Sequence, residues 1–154
     1  MTQAPTGELA VGAEIPVFQR ATGLQHWNRY AAVNDEFVDM HMDDEAGRAA
    51  GFPTAFGMGN LQWSYLHNML RNWIGDSGRI VHLTCQFRSP NIRNQVVTAH
   101  GRITAIRDEG RETVVDLDVW TENDSGQAMA PGTATVALPK LRGPSYGAQV
   151  TGPR

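Results

Sequence analysis

The chain has 154 residues and a single cysteine, Cys85. One thiol cannot form an internal disulfide, which fits a reducing, cytoplasmic compartment. Cys85 lies in a strand-like run, so it reads as a small buried hydrophobe rather than a nucleophile. Basic charge is also scarce. Thirteen Lys and Arg stand against 16 Asp and Glu, a net charge of -3, so no field exists to attract nucleic acid. No apolar run approaches the roughly 20 residues that cross a bilayer, and no membrane partner is expected. Met1 to Val11 lacks the charged start and apolar stretch of a signal peptide. There is no internal repeat, no low-complexity segment, no βαβ alternation and no glycine fingerprint for a nucleotide. The lone cysteine removes thiolate clusters, and His41 with its acidic neighbours matches no recognised ligand spacing, so no metal is expected.

What is present is ordinary globular composition, with 41% hydrophobic and 19% charged residues. The length suits one domain with a sizeable core. Residues 1–9, with Pro5 and Gly7, read as a flexible lead-in, 10–140 as the domain, and 141–154, rich in Gly, Pro, Ser and Thr, as a fraying tail. A short strand is expected over Ile15 to Arg20, with Ile15 and Val17 on one face. From about His26, Trp27, Tyr30, Ala31 and Asn34 recur at helical spacing. Asp43 to Ala50 allows another turn or two, with Asp43 as N-cap and Gly51 as stop. The strongest helix carries Leu61, Tyr65, Leu66, Met69, Leu70, Trp73 and Ile74 on a wide apolar stripe and ends at Gly75. Four strands follow. Ile80 to Arg88 alternates through Val81, Leu83, Cys85 and Phe87, and Val96 to Arg107 through Val97, Ala99, Gly101, Ile103 and Ala105. Glu112 to Thr121 and Ala128 to Leu138 complete the set, with hairpin turns at 108–111 and 123–126. One long helix laid against a mostly antiparallel sheet that wraps around it is an α+β layer.

The chemistry concentrates in Asn34 to Asp43, where Asp35, Glu36, Asp39, His41 and Asp43 can all move protons. Glu36 and His41 are five apart, which on one continuous helix would put them on different faces. If the helix ends near Asn34 or Asp35, the chain bends and the two can converge. The competing reading is a solvated helix end and an ordinary surface or core histidine. Next, Gly57-Met58-Gly59 leads directly into the buried helix. Glycine there lets a ligand approach the backbone, and the Gly59 N–H at a helix N-terminus suits a developing negative charge. The competing reading is a plain turn.

The run Tyr30 to Leu61 resembles the hydratase signature of the MaoC-like, (R)-specific enoyl-CoA hydratase family. That family's pattern is a tyrosine, then Ser-Gly-Asp-x-Asn-Pro-Ile-His, then Gly-Phe-Pro and a His-Gly-Met turn opening a central helix. The matching run here is Tyr30-Ala31-Ala32-Val33-Asn34-Asp35-Glu36-Phe37-Val38-Asp39-Met40-His41, followed by Ala49-Ala50-Gly51-Phe52-Pro53 and Met58-Gly59. Phe87-x-x-Pro90 also fits, and the resemblance extends over about residues 10–140. It departs at several points. The family's catalytic aspartate falls on Glu36, with Asp35 one position early. The Asn-Pro pair is Val38-Asp39, and the histidine before the helix glycine is Met58. The Phe-x-Asp-x-His variant resembles hydratase subunits acting on steroid side-chain acyl-CoAs, some of which work as unequal pairs.

The resemblance implies a hot-dog fold, an antiparallel sheet around one long helix. It implies hydration of trans-2-enoyl-CoA to (3R)-hydroxyacyl-CoA, or the reverse dehydration, with Glu36 and His41 as catalytic pair and Asp35 in reserve. Gly59, with Met58, Asn60, Trp63 and His67 around it, would meet the substrate, and Arg88 and Arg93, with Arg102, its phosphates. A residue often serine in the family falls on His67, either a pocket group or a satisfied core histidine. Met40, Met42, Met58, Met69, Trp63, Trp73 and Tyr65 are candidates for an apolar pocket, Met69 and Trp73 being better read as core. No cofactor is implied. The partners implied are an acyl-CoA or acyl-carrier thioester and a second subunit, in a homodimer or with a related chain. Two other readings stay open: a non-catalytic acyl-binding subunit and a thioesterase on the same fold.

Overall fold

A computed structural model describes residues 9–140. The expected lead-in and tail lie outside the described residues, apart from Leu9, which packs against the core. In chain order the elements are β1 (Phe18–Ala21), α1 (Leu24–Asn34), a 3-10 turn (Asp39–His41), α2 (Asp44–Ala49), β2 (Phe56–Gly57) and α3 (Gly59–Ile74). Then come β3 (Arg79–Cys85), β4 (Asn91–Ile92), β5 (Val96–Glu109), β6 (Glu112–Glu122) and β7 (Gly132–Pro139). Five strands form one sheet in the order β1-β5-β6-β7-β3, every pair antiparallel. The small β2–β4 pair stands apart. The α+β expectation holds, with the curled sheet packed against α3.

The apolar stripe explains why α3 forms. Leu61, Tyr65, Leu66, Met69, Leu70, Trp73 and Ile74 are all buried, as their three- and four-residue steps require. Each such side chain contributes roughly 1.5–3 kcal/mol when withdrawn from water. Met69 and Trp73 are core residues, as expected. Gly75, at φ +64°, stops the helix in a conformation that side chains resist. Opposite the stripe, inward-facing Val97, Ala99, Ile103, Val115, Leu117, Val119, Ala134 and Val136 complete the core.

Where the strands differ from the simple alternation, an extra residue is the cause. Ile15 pairs with Gly101 and Phe18 with Ala99, so the Pro16–Val17 stretch carries one residue too many. Proline has no N–H to give the ladder. Alternation flips there: Ile15 is buried, Phe18 packs on Tyr65, and Val17 points outward instead of sharing a face with Ile15. A second bulge lies between Ile80 and His82, leaving Val81 50% exposed while Ile80, Leu83 and Cys85 pack against the core. A third, between Ile103 and Ala105, brings Ile106 onto the core. β7 begins at Gly132 rather than Ala128: Ala128 makes only an isolated bridge to Glu122, beside the Met129 N–H···O Thr121 bond of 2.7 Å.

Candidate active site

The segment between α1 and α3 is a series of turns. Helix α1 ends at Asn34 because Asp35 adopts φ +53°, a left-handed conformation that aspartate tolerates. The N–H groups of Asp35 and Glu36 both turn back to the Ala31 carbonyl. The expected bend before Glu36 is therefore present. Asp39–His41 then make a single 3-10 turn. Asp43 caps α2, its carboxylate accepting from the Ala46 N–H at 2.8 Å. Asp44 accepts from the Ala55 N–H at 3.0 Å and pairs with Arg93. Those two donors, Ala55 foremost, hold the Asp44 carboxyl below its ordinary value and fasten α2 to the approach of β2.

His41 is half-buried, and its Nδ1 lies 2.8 Å from the Phe56 carbonyl oxygen. A carbonyl only accepts, so the contact places a proton on Nδ1, and in the neutral ring the lone pair is then on Nε2. The imidazole also stands edge-on to the Phe56 ring, 5.0 Å between centroids. It is thus tethered twice to the residue that opens the glycine turn.

Beside that turn lies a cleft of about 300 Å³. Phe52, Phe56 and Phe87 supply apolar walls, Gly57 and Gly59 the turn side, and Arg88–Pro90 the opposite rim, with Gln62 also lining it. A Cβ would be crowded at both turn positions. A Cβ on Gly57 would meet the Trp27 indole Nε1 at 2.7 Å, and one on Gly59 would meet the Phe87 ring at 2.6 Å. Gly59 and Asn60 begin α3, so their N–H groups have no acceptor one turn back, and the helix dipole adds positive potential there. His41 does not itself line the cleft; it adjoins it through Phe56, which forms part of the wall.

The other expected residues are placed as follows. Glu36 follows the left-handed turn, half-buried, and does not line the cleft; Asp35 is exposed. Met58 points into the core, 1% exposed, so its side chain is not a cleft wall. Asn60 is exposed at the helix start. Trp63 and His67 stack on one another, 5.5 Å between centroids, beside β3, where the Trp63 indole reaches the Leu83 carbonyl at 3.4 Å. His67 is therefore neither a cleft group nor a core histidine. Arg88 lines the cleft and touches the Gln86 amide oxygen. Arg93 is occupied by Asp44, and Arg102 by Glu14 at 2.9 Å, lying also over the Trp120 ring. Of the three arginines, Arg88 alone borders the cleft.

Sequence reading missed Gln62, which is 1% exposed and hydrogen-bonded to Thr121 and Ser89. Its position on the buried face of α3 was the available signal. It also missed the β2–β4 pair, two residues long on each side and too short to show a pattern.

No protein-family model matches the sequence, and no curated protein matches it. Solved structures do match in fold. An (R)-hydratase from A. caviae involved in PHA biosynthesis superposes with a TM-score of 0.77 at 23% identity, over 85% of this chain and 98% of that one. A chain of the ChsH1-ChsH2 complex from Mycobacterium tuberculosis gives 0.75 at 21% identity, over 85% and 99%. A MaoC-like dehydratase gives 0.78 at 20% identity, over 89% of this chain and 43% of that one. The chain has the hot-dog fold of these hydratases and dehydratases. Among the described residues, no helix is long and apolar enough to cross a membrane.

Proposed function

We propose that this chain belongs to the MaoC-like hydratases and adds water to trans-2-enoyl thioesters of coenzyme A, giving (3R)-hydroxyacyl thioesters, or runs the reverse dehydration. The observation that carries the reading is the 2.8 Å bond from His41 Nδ1 to the Phe56 carbonyl. It leaves Nε2 as a base and ties that base to the turn bearing Gly59. In the reaction the thioester oxygen accepts from the Gly59 N–H. Glu36 and His41 hold a water between them and take one of its protons as its oxygen bonds to C3. A proton returns to C2, and the thioester remains intact. No metal or cofactor enters the scheme.

Arg88, which lines the cleft, would meet a phosphate of coenzyme A or of an acyl-carrier prosthetic group. Strand β3 is a sheet edge, and Val81, Trp63 and Phe87 are exposed around it. An apolar sheet edge of this kind supports pairing with a second copy or a related subunit. The test is hydration of crotonyl-CoA and longer enoyl-CoAs by Glu36→Ala and His41→Ala. Each substitution should abolish turnover with the fold intact. Unchanged activity in both would overturn the proposal.

One feature favours a second reading. Glu36 carries a methylene more than the family's aspartate, and a misplacement of ~1 Å can cost on the order of 100-fold. A chain without turnover alone, but with turnover restored by a related subunit, would be the acyl-binding member of a pair. Release of free thiol would instead mark a thioesterase.

A further inference from the structure

We infer that the side-chain amide of Gln62 is a second hydrogen-bond donor to the substrate's thioester oxygen, beside the Gly59 N–H; this rests on the hydratase reading above. Gln62 lies on the buried face of α3 among Leu61, Tyr65 and Leu66, where an apolar residue would be expected. It lines the cleft together with Gly59.

Its amide orientation follows from its partners. The Ser89 carbonyl, 3.0 Å away, can only accept, so it faces Nε2. The Thr121 hydroxyl then donates to Oε1 at 2.6 Å. An amide nitrogen carries two N–H groups, and Ser89 takes one. Among the described residues the second N–H meets no acceptor. A fully buried amide that holds one donor in reserve on a cleft wall is a binding group rather than a filler.

Helix geometry directs that donor. Side chains on a helix lean toward its N-terminus, so Gln62, three residues after Gly59, lies over the Gly59 turn. Gly59 has no side chain, and the Phe87 ring packs where one would stand, as a further wall of the same cleft. As water bonds to C3, the C2=C3 electron pair shifts toward C1 and charge gathers on the thioester oxygen. Two donors from one helical turn would share that charge until a proton reaches C2. Both donors are preorganised, Gly59 by the helix and Gln62 by Ser89 and Thr121.

Gln62 also joins α3 to β6 and to the segment after β3, so the test must separate a staple from a donor. Gln62→Met keeps the length and burial and removes the amide. Gln62→Glu keeps an acceptor for Thr121 and has no N–H to offer, and serves if the methionine variant fails to fold. For a folded variant, kcat for enoyl-CoA hydration should fall about 10- to 100-fold, since loss of a committed oxyanion donor costs on that order or more. KM should stay within about threefold, because the bond strengthens in the transition state. The carbonyl stretch of bound saturated acyl-CoA, read by isotope-edited infrared spectroscopy, should rise from its wild-type frequency toward that in a non-bonding solvent. A staple alone would lower thermal stability and leave that band in place. Wild-type kcat and an unmoved carbonyl band in either folded variant would overturn the inference while leaving the hydratase reading standing. Wild-type protein that neither binds acyl-CoA nor hydrates enoyl-CoA would overturn both.

Discussion

Substitution of Gly57 by alanine tests whether the glycine turn is held from behind. Gly57 has no left-handed φ, so alanine suits its backbone and contact is the whole cost. The new methyl would lie 2.7 Å from Trp27 Nε1 and 3.1 Å from both Trp27 Cε2 and Asn91 Oδ1. Ordinary contact begins near 3.4 Å, so something must yield by about 0.7 Å. Trp27 is fully buried and Asn91 nearly so, with the Asn91 amide bonded to Thr22 at 2.9 Å. Gly57 borders the open cleft, so the turn is expected to yield rather than the buried indole. It carries both the Phe56 carbonyl that orients His41 and the Gly59 N–H. Overpacking of this kind costs roughly 1–3 kcal/mol. A shift near 1 Å in catalytic positioning can cost up to ~100-fold, so kcat for enoyl-CoA hydration should drop about 10- to 100-fold. Urea denaturation and steady-state kinetics on the same preparation measure the two effects. Adding Trp27→Phe, which removes the pressing Nε1, should recover part of the rate. Gly57→Ala with wild-type kcat and stability would refute the idea that Trp27 backs the turn.

Three further outcomes follow from the same contacts. Gly132→Ala would place a methyl 1.9 Å from the Thr84 carbonyl oxygen, backbone that cannot step aside, so β3 should separate from β7 at a cost of about 3 kcal/mol or more, seen as a lost or much earlier unfolding transition. Asp43→Ala removes the cap on Ala46 and should cost about 1 kcal/mol in urea denaturation, with Asp43→Asn close to wild type. Tyr65 is held protonated by burial, against the opposing pull of Arg20, with its pKa pushed up from 10.0 to about 12. Because the folded state keeps the proton longer, this contribution is complete below pH 10 and is lost as pH rises to about 12. Tyr65→Phe should flatten that alkaline loss in thermal melts. At neutral pH it should cost little, since the phenol oxygen has no partner among the described residues.

The elements that were legible are those whose causes are local. The α3 stripe repeats every three or four residues, and Gly75 ends it. Gly110 and Gly126 adopt the positive φ that their hairpin turns demand. Asp43 reaches a backbone N–H three residues ahead. The bend after Asn34 and the glycine turn before α3 were readable for the same reason. Strand faces were less legible, because a bulge is visible only against a partner. Val17, Val81 and Ala105 each continue an alternation in sequence, yet pairing with β5, β7 and β6 inserts an extra residue and reverses it.

The site divides in the same way. Residue type and spacing raised Glu36, His41 and Gly59 as candidates, and the resemblance to the MaoC-like pattern joined them into one hypothesis. Only the tertiary structure set the His41 Nδ1 against an acceptor, because the carbonyl belongs to Phe56, 15 residues away. Only it assigned Arg93 to Asp44, 49 residues distant, and left Arg88 at the cleft. Gln62 is the clearest case: one amide in an apolar stripe acquires its meaning from Ser89 and Thr121, 27 and 59 residues on. Helix stripes, caps and turns are settled by neighbours within about one turn of chain. Partners of buried polar groups are settled by packing, which joins residues that no local pattern relates.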